Sequence, residues 1–234
     1  MIKKFMRFWS EEHSLSVFLL LLVVHMFVIG SVVRSGLAVD IAGDLLLSIL
    51  LVTGVFMVVQ HRALQWTAGM FVLLAIAVRW AGIVLGSPGL LFWNGVLSLL
   101  STVGFLLIVL WWVYREGPVT GHRVRGAVAA YLLLALCFSL AYTLIEYVHP
   151  GSFTSPPGGV QGMQTRSASF LYFSVVTLTT VGFGDIAAIH PVARSLVMAE
   201  AVIGTLYPAV LLARLVTLEM ETRRSQRSRK GGEG

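Results

Sequence analysis

A 234-residue chain that is 57% hydrophobic and only 12% charged, with a mean hydropathy of +0.85, is not built for water. A soluble domain carries about 25% charged residues. The net charge of +6 is concentrated between and after apolar runs, which suits anionic inner-leaflet lipid; no nucleic-acid recognition motif accompanies it. The single cysteine, Cys137, lies in an apolar run, so no intrachain disulfide forms.

A helix needs about 20 mainly apolar residues to cross a bilayer. Six stretches meet this in chain order: 14–33, 41–59, 64–86, 90–114, 127–148 and 193–218. The first is too long for a signal-peptide core, lacks a small-residue cleavage site and is followed by further spans, so it is expected to stay in the mature protein. Its His25 reads as a buried, hydrogen-bonded histidine. Arg79 stands alone in the third stretch, and Asp44 is the expected partner, since intramembrane charges usually pair. The fourth contains no charged residue over 90–110 and ends in Trp111, Trp112 and Tyr114, an interfacial aromatic belt.

Basic residues orient the stack. Lys3, Lys4 and Arg7, then His61 and Arg62, then Arg115, Arg123 and Arg125, then Arg223, Arg224, Arg227, Arg229 and Lys230 all fall on one side if six helices span. That side is cytoplasmic, together with both termini, in a multi-pass protein of the plasma membrane, most simply a bacterial inner membrane. The chain divides into a four-helix region (1–114), a cytoplasmic linker (115–126), a two-helix unit (127–218) and a short basic tail (219–234) expected to be disordered. The Pro- and Gly-rich segment 149–163 reads as an extracellular turret. The predicted fold is all-α and integral to the membrane, with six transmembrane helices.

Between the last two spans lies an apolar segment near 165–179, too short to cross, which runs into Thr179-Thr180-Val181-Gly182-Phe183-Gly184-Asp185. It reads as a re-entrant pore helix and loop, tolerated at membrane depth only when buried in protein or lining water. Stripping water from a cation requires successive backbone carbonyls to point at one axis. In a regular strand they alternate sides. Gly182 and Gly184 can take the left-handed angles that a Cβ penalises, allowing the carbonyls of Thr180, Val181, Gly182, Phe183 and Gly184 to face inward, with the Thr180 hydroxyl as innermost ligand. Val181 and Phe183 then pack away from the axis.

Over 127–218 this order of helix, short helix, filter string and helix resembles the pore domain of the tetrameric potassium-channel superfamily. The resemblance implies K+ as the permeant ion, with no other cofactor, and a homotetramer around a central pore. It also implies a bond from Tyr172, 13 residues before Asp185, to that aspartate, and a hinge at Gly204, 19 residues after it. Val176 stands where some members carry a glutamate behind the filter, and Phe183 where tyrosine is commoner. The missing hydroxyl predicts a looser filter prone to inactivation. The four preceding helices match six-span channels in number but lack the repeated arginines of a voltage sensor.

In the last span, Glu200 has two readings: a cation-attracting or pH-sensitive cavity ring, or a carboxyl hydrogen-bonded behind the filter. Ala201, Thr205, Pro208 and Leu212 form a small, weakly polar stripe suited to a cavity, with Glu200, Gly204, Tyr207 and Leu211 on the adjacent stripe, which favours the second. Pro208 cannot donate to the Gly204 carbonyl, so a bend is expected. No nucleophile elbow, phosphate loop or zinc spacing is present, so catalysis is not expected. The sequence points to a passive potassium channel that is not strongly voltage-gated. A weakly selective cation channel and a membrane sensor or scaffold with a non-conducting pore are the alternatives.

Overall fold

The structure, a computed structural model, describes residues 14–31, 45–54, 62–85, 87–115, 121–154 and 163–231. Within them the protein is helical: α1 (Ser14–Ser31), α2 (Leu45–Gly54), α3 (Arg62–Leu85), α4 (Pro88–Tyr114), α5 (Gly121–Val148), α6 (Met163–Leu178) and α7 (Pro191–Gly231). Local chemistry sets several ends. Ser87 is extended (φ −81°, ψ 121°) before Pro88, whose fixed φ and missing N–H suit a first helical turn. At the other end of α4, Arg115 is again extended and its guanidinium lies 5.6 Å over the Trp111 ring.

Among the described residues three helices carry windows long and apolar enough to cross a membrane: Phe92–Tyr114, Arg123–Val148 and Pro191–Leu218. The described parts of the other N-terminal helices hold shorter apolar stretches, at Ser16–Phe27, Leu45–Gly54 and Val72–Gly82. The flanks of the predicted second span, at 41–44 and 55–59, lie outside the described residues, as does Asp44.

α5 is the hub. It packs against α1, α4, α6 and α7 of its own chain, while α3 packs on α4 and α6 also touches α1 and α7. The core runs through Phe18, Leu22, Leu50, Val109, Leu133 and Tyr142 into an aromatic cluster of Tyr142, Phe153, Phe170 and Phe173. Burial is uneven: 56% of the apolar window of α5 is inside the protein, against 11% for α7. Among the described residues, most of the apolar window of α7 is thus left uncovered within the single chain.

Two boundaries differ from expectation. α5 starts at Gly121, so the last six residues of the predicted linker 115–126 are already helical. α7 continues to Gly231, through most of the tail expected to be disordered. No glycine or proline interrupts 209–230, and Leu, Met, Glu, Gln, Arg and Lys there are good helix formers, which the charge-based reading undervalued. The described start of the predicted turret, 149–154, is stitched to the segment that follows Asp185. Thr154 N–H donates to the Ala187 carbonyl (2.8 Å), Ile189 N–H to Ser152 (2.8 Å), and Phe153 pairs antiparallel with Ala188.

Arg79 is buried in α3, and α4 provides acceptors that the sequence reading did not consider. Its Nε donates to Asn94 Oδ1 (3.2 Å) and its Nη2 to Ser98 Oγ (2.7 Å). His25 is buried as expected, but its Nδ1 has no hydrogen-bond partner among the described residues.

Candidate functional site

The short helix α6 delivers the loop. Its apolar face (Phe170, Leu171, Phe173, Val176, Leu178) is buried, and its last carbonyls turn the chain. Thr179 N–H still bonds Val175, and Thr180 N–H bonds Thr177 (2.9 Å). The Val176 carbonyl then accepts from both Val181 (2.9 Å) and Gly182 (3.3 Å). With its amides drawn back to the helix end, the loop presents its oxygens elsewhere. Among the described residues, no hydrogen bond is accepted by the carbonyls of residues 179–184.

Positive φ angles fall on alternate residues: Thr180 (62°), Gly182 (58°) and Gly184 (77°). The two glycines take the left-handed angles expected of them. An added Cβ at either would meet nothing within 4 Å in the single chain, so the requirement is conformational and not spatial. Thr180 was not foreseen as left-handed. A β-branched residue at positive φ is an outlier, held only when its surroundings over-determine it.

Val181 and Phe183 are exposed on the single chain, and the Phe183 ring stacks on Tyr172 with centroids 6.4 Å apart and planes at 4°. The Tyr172 hydroxyl lies on the side of the Asp185 carboxylate. Asp185 Oδ1 also accepts the N–H of Ile186 (3.1 Å). The Thr179 hydroxyl is turned back to the Val175 carbonyl (2.7 Å), away from the row of loop carbonyls.

The two stripes of α7 separate. Glu200, Gly204 and Tyr207 are buried against α5 and α6, whereas Thr205, Pro208 and Leu212 are exposed and Ala201 is half-buried. The Thr205 hydroxyl folds back onto the Ala201 and Val202 carbonyls (3.2 and 2.9 Å). Pro208 lies inside the continuous helix. At Gly204 the helix meets the end of α6: an added Cβ would sit 2.2 Å from the Leu178 carbonyl oxygen and 2.9 Å from its carbon. Close approach alone therefore demands glycine there.

Among the supporting side chains, Tyr131, Tyr142 and Ser174 were not singled out from sequence, and Tyr207 was placed only as part of a stripe. Tyr131 Oη donates to that same Leu178 carbonyl (3.0 Å), Tyr207 Oη to Ala127 (2.8 Å), and the two rings stack at 5.7 Å. Tyr142 and Ser174 hold Glu200. The available signal was a hydroxyl in an apolar run, which must find a partner when buried.

Residues 130–221 match a family described as "Ion channel". Protein LctB of Bacillus caldotenax is 34% identical over 87 residues, 37% of this chain and 64% of that protein. Two pore potassium channel c of Oryza sativa subsp. japonica is 33% identical over 98 residues, 42% of this chain and 21% of that protein. Inward rectifier potassium channel Kirbac3.1 of Paramagnetospirillum magnetotacticum is 37% identical over 84 residues, 34% of this chain and 24% of that protein. The chain thus spans under two thirds of the length of each of these relatives, and the family match runs from within α5 to within α7.

Proposed function

The chain belongs to the potassium-channel superfamily through residues 130–221, and on that premise we propose that it is a homotetrameric, potassium-selective channel conducting K+ passively down its electrochemical gradient. The observation that carries this reading is the run of carbonyls from residue 179 to 184 that accept no hydrogen bond among the described residues, with left-handed angles at every second position. Oxygens of this kind replace a cation's hydration shell when four copies surround an axis. Buried in lipid they would cost several kcal/mol each, roughly, so they require ions or water as partners.

In this reading ions enter past Asp185 on the outer side and are held by the carbonyls of Thr180 to Gly184 and the Thr180 hydroxyl. They leave through a cavity lined by Ala201, Thr205 and Pro208. The C-terminal end of α6, at Leu178, directs its partial negative charge toward that cavity. Six helices per chain span, with both termini cytoplasmic in the plasma membrane, and basic segments contact anionic lipid. Arg79, tied to Asn94 and Ser98, is structural and not a gating charge. Val181, Phe183 and the exposed apolar residues Val202, Leu206 and Val210 of α7 are covered by the neighbouring subunit.

The reversal potential of the purified, reconstituted protein, with K+ on one side and Na+ on the other, tests this. A value near the potassium equilibrium potential is expected. A value near zero would leave a weakly selective cation channel, and silence at all voltages a non-conducting sensor or scaffold.

A further inference from the structure

Glu200 lies within the apolar window Pro191–Leu218 of α7, nearer its start than its middle, with no exposed surface. Its carboxyl lies between two other helices. Tyr142 Oη of α5 is 2.5 Å from Oε2, and the Ser174 hydroxyl of α6 bonds Oε1. The same Ser174 hydroxyl also lies 2.8 Å from the Ala135 carbonyl oxygen of α5.

Three oxygen–oxygen contacts at these separations need three protons. Tyr142 brings one, Ser174 brings one, and the Ala135 carbonyl brings none. If Glu200 is ionised, Ser174 can donate fully to the carboxylate or to the carbonyl, and the other contact sets lone pair against lone pair. If Glu200 carries a proton on Oε1, the chain closes. Tyr142 O–H donates to Oε2, Glu200 O–H donates to Ser174 Oγ, and Ser174 O–H donates to Ala135.

The surroundings agree with that count. No lysine, arginine or histidine among the described residues bonds the carboxyl, and the other ionisable group facing it is the neutral phenol of Tyr131. A bare charge at this depth is expensive and normally paired.

We infer that Glu200 is carried as a neutral carboxylic acid and acts as a positioning residue, bonding α7 to both α5 and α6 behind the filter. Ser174 precedes Val176 by two residues, and the Val176 carbonyl anchors the amides of Val181 and Gly182. The relay therefore fixes the piece of α6 from which the loop hangs. It adds no charge to the cavity. This inference deepens the channel reading at the filter, but the protonation state itself does not depend on conduction.

Infrared difference spectra of the full-length protein in lipid at neutral pH, wild type minus Glu200→Gln, provide the test. The expected difference is the carbonyl stretch of an un-ionised carboxylic acid, with the carboxylate bands unchanged. Removal of carboxylate stretches instead would overturn the assignment. Tyr142→Phe deletes one donor and little volume, and should move the acid band upward in frequency. A band that stays put would remove Tyr142 from the relay.

In flux assays, glutamine offers both the donor and the acceptor of a neutral acid, so Glu200→Gln should keep the potassium flux that Glu200→Ala loses by roughly tenfold. Equal losses in both variants would overturn the neutral-acid role, and full flux in Glu200→Ala would overturn positioning. If wild-type protein passes no ions, the channel reading fails while the infrared result still decides Glu200.

Discussion

Replacing Gly204 by alanine adds one methyl group where the inner helix touches the end of the pore helix. The new Cβ would lie 2.2 Å from the Leu178 carbonyl oxygen, whereas carbon–oxygen contacts settle near about 3.3 Å. The two helices must separate by roughly 1 Å, and neither neighbour is a flexible side-chain tip, because the atoms met are all backbone. Overpacking a tight site costs about 1–3 kcal/mol, and a backbone clash belongs at the upper end. Alanine recovers about 1 kcal/mol through its better helix propensity. The net expectation is a loss of about 2 kcal/mol per subunit, before any weakening of the Tyr131 bond to the same carbonyl.

The assay is thermal unfolding of the purified protein in detergent, run beside potassium flux after reconstitution. A hinge glycine and a contact glycine predict opposite signs. If Gly204 served chiefly to bend the helix, alanine would stiffen it, leave stability equal or higher, and alter gating alone. Contact predicts a clearly lower unfolding temperature together with reduced flux, because Leu178 is the residue before the filter threonines. Gly204→Ala protein as stable as wild type would refute the contact argument.

At Gly182, φ is 58°, and the left-handed region costs an L-residue about 1–2 kcal/mol; Gly182→Ala is expected to abolish selective potassium flux while circular dichroism stays helical. Flux that survives it would count against the row of carbonyls as the ion pathway. Tyr172→Phe keeps the ring stacked on Phe183 but deletes the hydroxyl on the side of Asp185, so sustained current should decay faster, as read in long depolarising steps. Phe183→Tyr should slow that decay by returning a hydroxyl to the filter's flank; an unchanged time course would dismiss the looser-filter explanation. With Arg79 held by α4, opening should depend only shallowly on voltage, and a steep conductance–voltage curve requiring more than about one elementary charge per subunit would overturn that, at roughly 2.3 kcal/mol per charge per 100 mV.

The loop was readable because glycine at every second position has a narrow physical meaning, and the structure puts positive φ at Gly182 and Gly184. Thr180 was not readable that way. Threonine is among the worst residues for that region, and only the surrounding fold explains its holding it. Gly204 was noticed through the resemblance but for another reason, since helix-to-helix distance is not encoded locally. The hydroxyl ties are the plainest case. Tyr131 meets Leu178 across 47 positions and Tyr207 meets Ala127 across 80. Each tyrosine in an apolar span announces a need for a partner without saying where it lies. The helical tail to Gly231 was hidden by charge, because composition alone does not separate a solvated helix from a solvated coil.

Within one chain, two sets of ties hold the pore helix. Tyr142, Ser174 and Glu200 bind its middle, and Tyr131 with Gly204 fixes its end at Leu178. The loop beyond it is open: residues 179–185 are exposed, and so are Val202, Leu206 and Val210 of α7. An exposed apolar helix face and a run of carbonyls that accept no hydrogen bond among the described residues would be hard to reconcile in an isolated subunit. Lipid could cover the first but not the second, because hydrocarbon offers carbonyls no donor or cation. Water could satisfy the second but not the first. Copies arranged around an axis answer both, with neighbouring chains against α7 and cations against the carbonyls. That is why the tetramer and the conduction path stand or fall as one proposal.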